Sequence, residues 1–116
     1  IAKFLKQRQL GQPMTITGTG KQTRDFTSVH DIVRANILAM KSSKVGQGEV
    51  INIGAGKNHS INKVTQLIGG PIKYIPARFE PQHTLADNSL AKKLLGWRPK
   101  ISIEKGIAEL KSLAGL

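Results

Sequence analysis

The run GTGKQTRDFTSVHDIVRAN, Gly18 to Asn36, decides the fold because it changes character along its length. Gly18 and Gly20 bracket a turn, a β-branched and aromatic stretch around Phe26 follows, and from Ser28 onward apolar residues recur at helical spacing. A glycine turn that feeds an extended piece and then a helix belongs to an α/β protein. Arg24 stands at the edge of the extended piece, where its position is fixed, and a fixed planar guanidinium suits an anion.

Upstream of the turn, IAKFLKQRQL predicts a short helix with a cationic exposed face, closed by Gly11 and Pro13. MTITG predicts a strand, and DFTSV, across the glycine turn, predicts its hairpin partner. Downstream, Ser28 and Asp31 have the spacing of a capping box, in which the hydroxyl accepts from the third helical N–H and the acid reaches back to the cap. Val33, Ile37 and Met40, joined by Ile32 and Leu38, form the apolar stripe of that helix. EVINIG predicts a buried strand cut off by Gly54 and Gly56.

Ser60 then caps a helix that Gly69 and Gly70 end, and IKYIP predicts another strand. Asp87 or Asn88 caps a short helix stopped by Gly96, with Trp97 immediately after. Ser102 caps a last helix with Ile103, Ile107, Leu110 and Ala114 along one face. Short strands alternate with helices, no repeat or long linker divides the chain, and the reading is one α/β domain over residues 1–116.

Charge is the strongest compositional signal: 18 Lys and Arg against 7 Asp and Glu give a net +11. The partner is therefore expected to be anionic, with nucleic acid, nucleotide phosphates and an acidic remainder of a larger protein all open. No acid precedes Asp25, so the excess is strong at the start of the chain. The chain begins at Ile1 in place of an initiator Met, and a piece of a longer polypeptide is expected. No apolar run approaches the ~20 residues that cross a bilayer, and no secretory leader opens the chain, so the reading is soluble and cytoplasmic without a membrane partner. The absence of cysteine excludes disulfides and thiolate metal sites.

Several chemical motifs fail on spacing. GTGKQT has Thr23 where a dinucleotide fingerprint needs its third glycine, and GAGKNHS has Ile51 and Asn58 where a phosphate loop needs a glycine and a hydroxyl. His30, His59 and His83 lack companion carboxylates at helical metal spacing, so no metal is expected. One Tyr and one Trp make no platform for stacking bases. Two cationic spots survive, Arg24 in QTRDF and Arg78 in IPARFEPQH, each entering a turn from an extended segment and able to converge on one diphosphate.

The ordered set GTGKQTRDFTSVHDIVRANILAM, EVINIGAG and HTLADNSLAKKLLGWRPKISIEKGI resembles the C-terminal part of the extended short-chain dehydrogenase/reductase family. Within that family it is similar to the NAD-dependent nucleotide-sugar epimerases, of the UDP-glucose 4-epimerase kind, and to dehydratases, over about Phe4 to Leu110. The resemblance implies the substrate-side part of an extended Rossmann-type enzyme, with Arg24 and Arg78 gripping the diphosphate of a nucleotide-linked hexose. It implies ribose contact for Glu80, although RFEPQH lacks the usual glycine, runs one residue shorter, and has Gln82 where relatives carry a basic residue.

The resemblance also implies that Asp31, Asn52, Gly54 and Trp97 serve structure. NAD and the catalytic Tyr-x-x-x-Lys pair are implied for an N-terminal domain outside these residues, a homodimer is left open, and this piece alone is expected to be inactive. Tyr74 does not supply that pair, because Arg78 stands where the lysine belongs and a guanidinium gives up no proton near neutral pH. A 4,6-dehydratase or decarboxylase of the same family stays open, and a basic nucleic-acid-binding module is the rival from another class.

Overall fold

A computed structural model describes all of residues 1–116 and contains five helices and four short strands. Helix α1 (Ala2–Gln9) forms where expected, burying Leu5, and Gly11 follows with the positive φ of +69° that a Cβ would oppose. Strand β1 (Met14–Thr17) comes next, with Met14 and Ile16 fully buried and the two threonines on the other side. β1 does not form the expected hairpin with β2 (Thr23–Asp25). It pairs in parallel with β4 (Ile72–Ile75), Met14 opposite Ile72 and Thr17 opposite Ile75.

The reason lies on the other edge of β1. There Gln7 of α1 accepts from the Thr15 N–H and donates to the Thr15 hydroxyl, both at 3.1 Å, so the backbone that a hairpin would use is already engaged. The glycine turn is drawn instead toward α3 (Ile61–Ile68), whose first N–H groups bond the carbonyls of Gly20 and Gln22. β2 consequently pairs antiparallel with β3 (Asn58–Ser60), placing Arg24 opposite His59. Its free edge meets residues 82–84, where Thr23 and His83 make a parallel bridge.

Helix α2 (Val29–Lys41) starts at Ser28, but the expected capping box is not made. The Ser28 hydroxyl accepts from the His30 N–H at 3.3 Å, and Asp31 turns into the protein instead of back to the cap. The expected apolar stripe of α2 is also on the wrong side: Val33, Ile37 and Met40 are exposed, whereas Asp31 and Ala35 are buried. EVINIG is not a strand; Ile51 and Ile53 pack inward, yet the backbone of residues 49–53 pairs with nothing.

The remaining elements match expectation more closely. Ser60 and Ser102 cap α3 and α5 (Ile103–Leu113) by accepting from Lys63 and Lys105 N–H groups at 3.1 and 3.2 Å. Helix α4 (Ser89–Leu95) ends at Gly96 in the left-handed conformation. Its cap differs: the Asn88 side chain crosses to the Gly54 carbonyl at 2.8 Å, while Asp87 accepts from the Ser89 N–H. Along α5 only Ile103 and Ile107 are buried, and Leu110 leaves the core.

Two apolar clusters result. The first joins Leu5, Met14, Val64, Ile68, Ile103 and Ile107 from α1, β1, α3 and α5. The second joins Ala35, Ala91, Leu95 and Trp97 around α2 and α4. Full burial of such a side chain contributes about 1.5–3 kcal/mol, so both clusters matter to stability. Asp31 connects α2 to the segment after Trp97: its carboxylate accepts from the Lys100 and Ile101 N–H groups and from Arg34, and its carbonyl accepts from the indole N–H at 2.9 Å.

Candidate anion-binding site

Strand alternation sends Arg24 and Asp25 to opposite sides of β2. Asp25 faces the loops behind the strand, accepting from the Ala55 and Gly56 N–H groups at 2.9 Å and from the Ala86 N–H at 3.3 Å. Gly54 sits so close to this carboxylate that a Cβ would come within 3.0 Å of Asp25 Oδ2 and 2.3 Å of Ala86 Cβ. The Asn-x-Gly strand end is therefore a close backbone approach. Held from behind, β2 presents Arg24 to the front.

There Arg24 is only partly exposed. Its Nη1 donates to the Thr23 carbonyl at 2.7 Å and the Gln82 carbonyl at 3.4 Å, and its Nη2 lies 3.4 Å from Glu80 Oε2. Arg78, 73% exposed on the loop after β4, places Nε 3.5 Å from the same Glu80 oxygen. The two arginines predicted to converge do converge, from separate parts of the chain, and Glu80 stands between them. A cavity of about 290 Å³ opens beside this group, with Lys3, Thr17, Gln22 and Phe26 among its walls.

Gln22 is the site residue that sequence reasoning missed. It is buried, and its Nε2 donates to the Thr17 carbonyl at 2.8 Å and to Glu80 Oε1 at 3.1 Å. Glu80 is thereby tied to the end of β1 through one oxygen while the other faces both guanidinium groups. The only signal in the sequence is an amide within the glycine turn, which does not announce burial. Lys3 was legible as part of the basic start but not as a wall of this cavity.

The long ion-pair distances have a chemical consequence. Two guanidinium groups 3.4 and 3.5 Å from one carboxylate oxygen are gathered in one place without tight forked contacts, so an incoming dianion can compete for them. Three cationic side chains against one carboxylate leave the cavity positive. None of these groups is a general base of the imidazole kind; the arrangement suits an anion.

The other candidates stay apart from this chemistry. His30 pairs with Glu109 at 2.8 Å on the surface, and His83 lies 2.8 Å from the Thr23 hydroxyl. No group of three His, Asp or Glu side chains converges to hold a metal. Tyr74 lies on β4 and donates to Asn62 at 3.2 Å. The glycine turns do not fit a dinucleotide either: a Cβ on Gly20 would lie 1.9 Å from Asn62 Oδ1, and one on Gly56 would lie 2.8 Å from Asn88 Nδ2. Both glycines are therefore required by close approach of a neighbouring asparagine side chain.

The family model for GDP-mannose 4,6 dehydratase matches residues 1–110. The UDP-glucuronate 4-epimerase of Thermodesulfobacterium geofontis is 43% identical over 115 residues, which are 92% of this chain and 35% of that protein. UDP-glucuronic acid decarboxylase 1 of Xenopus tropicalis is 34% identical over 92% of this chain and 26% of its own length. The chain thus spans about a third of the length of these relatives, or less. Among solved structures, the UDP-glucuronic acid 4-epimerase of Bacillus cereus in complex with UDP-glucuronic acid and NAD superposes with a TM-score of 0.89, at 32% identity over 97% of this chain and 38% of that one. The chain belongs to the GDP-mannose 4,6-dehydratase family, within the NAD-dependent epimerases and dehydratases of the extended short-chain dehydrogenase/reductases.

Proposed function

We propose that residues 1–116 form the C-terminal, substrate-binding domain of an NAD-dependent nucleotide-sugar epimerase, clamping the diphosphate of a nucleotide-linked hexose between Arg24 and Arg78. The observation that carries this reading is the meeting of the two arginines at Glu80 beside a cavity of about 290 Å³. On binding, the phosphates take over the guanidinium groups, and Glu80 is released toward the ribose hydroxyls. On this reading NAD and the catalytic machinery belong to polypeptide outside these residues. Fixing a remote diphosphate lets its binding energy position the reacting sugar carbon. A decarboxylase or dehydratase of the same family would use the clamp in the same way; the whole enzyme works in the cytoplasm.

The test is a titration of the intact enzyme with UDP-glucuronic acid, UDP-glucose and mixed-sequence DNA at low and moderate salt. Saturable binding of a UDP-sugar in preference to DNA is expected. Tight DNA binding that weakens steeply with salt, without preference for a nucleoside diphosphate, would replace this reading with the nucleic-acid one.

Glu80 supplies a second test. Removing its charge in Glu80→Gln deletes the competitor for the arginines, so inorganic pyrophosphate is expected to bind about two- to fivefold more tightly, the worth of a partly exposed ion pair. UDP gains less, because it also loses its ribose acceptor, and the preference for UDP over pyrophosphate narrows. Unchanged affinity for both ligands in a calorimetric titration would remove Glu80 from the clamp.

A further inference from the structure

Gln22 is 7% exposed, lines the cavity beside the two arginines, and uses only part of its hydrogen-bonding capacity. An amide has two N–H donors and a carbonyl acceptor. Both donors are engaged, one with the Thr17 carbonyl at 2.8 Å and one with Glu80 Oε1 at 3.1 Å. Each of those partners only accepts, so turning the amide over would set its oxygen against two others, and the network fixes which way it points. The residue is anchored by its backbone as well, whose carbonyl accepts from the Ile61 N–H at 3.1 Å where α3 begins.

The amide oxygen is left over. Nothing in the chain donates to Gln22 Oε1, yet the sole side-chain polar atom sealed from solvent without a partner is Arg8 Nε. Gln22 Oε1 is therefore not sealed, and the space it reaches is the cavity that Gln22 lines. The arginines draw phosphate, but a carbonyl oxygen repels it and needs a donor, and the diphosphate bridge of a nucleotide sugar carries no hydroxyl. Ribose carries two, side by side. Glu80, bonded to the same amide, is the neighbouring acceptor, so two adjacent acceptors stand ready for two adjacent hydroxyls.

We propose that Gln22 is a specificity and positioning residue of the clamp, selecting ribonucleoside diphosphates over their 2′-deoxy analogues. Its Nε2 keeps Glu80 tethered at the end of β1 when phosphate displaces Glu80 from the arginines, and its Oε1 accepts from one ribose hydroxyl while Glu80 accepts from the other. A 2′-deoxyribose leaves one of the two acceptors unpaired in a largely buried place, which is how a site built to bond a hydroxyl rejects a ligand without it. This rests on the reading of Arg24 and Arg78 as a diphosphate clamp.

Calorimetric titration of the intact enzyme with UDP and with 2′-deoxy-UDP tests the proposal. UDP is expected to bind roughly 10-fold or more tightly, the cost of leaving a buried acceptor unpaired. Gln22→Met keeps the length of the side chain without its polar atoms, and Gln22→Asn is too short to bridge Thr17 and Glu80. In both variants the ratio of the two affinities is expected to fall below about threefold. A general loosening of the fold weakens both nucleotides together and leaves the ratio alone. Equal affinity for the two nucleotides in the unaltered enzyme overturns the proposal, and a ratio kept in either variant removes Gln22 from ribose selection. Failure of the clamp reads differently: a UDP affinity indifferent to Arg24→Ala refutes the clamp itself, whatever the ratio.

Discussion

Asp31→Ala is expected to lower folding stability by about 3–5 kcal/mol, the cost of removing one partner from a buried ion pair. The carboxylate is 2% exposed and accepts from Arg34 and from the N–H groups of Lys100 and Ile101, so alanine strands three donors and releases the segment that carries Trp97. Chemical denaturation of the intact protein, with the Trp97 fluorescence signal taken as the difference from a Trp97→Phe control, measures this. A loss below about 1 kcal/mol would mean that water replaces the carboxylate without strain.

The same residue fixes a pH dependence. Burial pushes the Asp31 carboxyl up, but the Arg34 side chain and the Ile101 and Lys100 N–H groups outweigh it and hold the pKa below its ordinary 3.8. A carboxylate depressed in the folded state stabilises above its unfolded pKa, and that contribution is lost as pH falls through the folded one. Stability is therefore expected to drop below about pH 4, and Asp31→Asn, which keeps the shape without the charge, should flatten that limb. An identical acid limb in the asparagine variant would assign it to other carboxylates.

Arg24→Ala in the intact enzyme is expected to weaken nucleoside-diphosphate binding roughly 10- to 150-fold, from a hydrogen bond to a charged group worth about 1.5–3 kcal/mol. Arg24 should exceed Arg78 in effect. Its guanidinium is already held by the Thr23 and Gln82 carbonyls and loses little freedom on binding, whereas Arg78 is 73% exposed and must be ordered. On the proposed reading the diphosphate anchors the sugar, so turnover should fall as well. Folding stability should change by less than about 1 kcal/mol, as for other partly exposed ion pairs. An unchanged dissociation constant for UDP removes Arg24 from the site.

The helices, the Ser60 and Ser102 caps and the approach of Arg24 to Arg78 were legible in the sequence because they depend on short-range chemistry or on the ordered motifs of the family. What was not legible turned on choices between equivalent local signals. Helix α2 has two apolar sides, Val33 with Ile37 and Met40 or Ala35 with Leu38 and Ala39, and periodicity alone does not say which faces the core. The small residues won because the second cluster brings α2 close to α4 and Trp97.

Strand pairing was equally ambiguous. The glycine turn permits a hairpin, but the Gln7 side chain occupies one edge of β1 and β4, from much later in the sequence, the other. EVINIG has the alternation of a strand because Ile51 and Ile53 are buried on one side, but strands are completed by neighbours that its own residues cannot specify. Gln22 escaped notice because an amide becomes a site residue only through burial, here between the Thr17 carbonyl and Glu80.

The most direct measurement is a crystal structure of the intact enzyme with a bound nucleoside diphosphate. The clamp requires phosphate oxygens within hydrogen-bonding distance of both the Arg24 and the Arg78 guanidinium groups, with Glu80 moved off them toward the ribose. A diphosphate bound elsewhere, with both arginines still turned to Glu80, would contradict it.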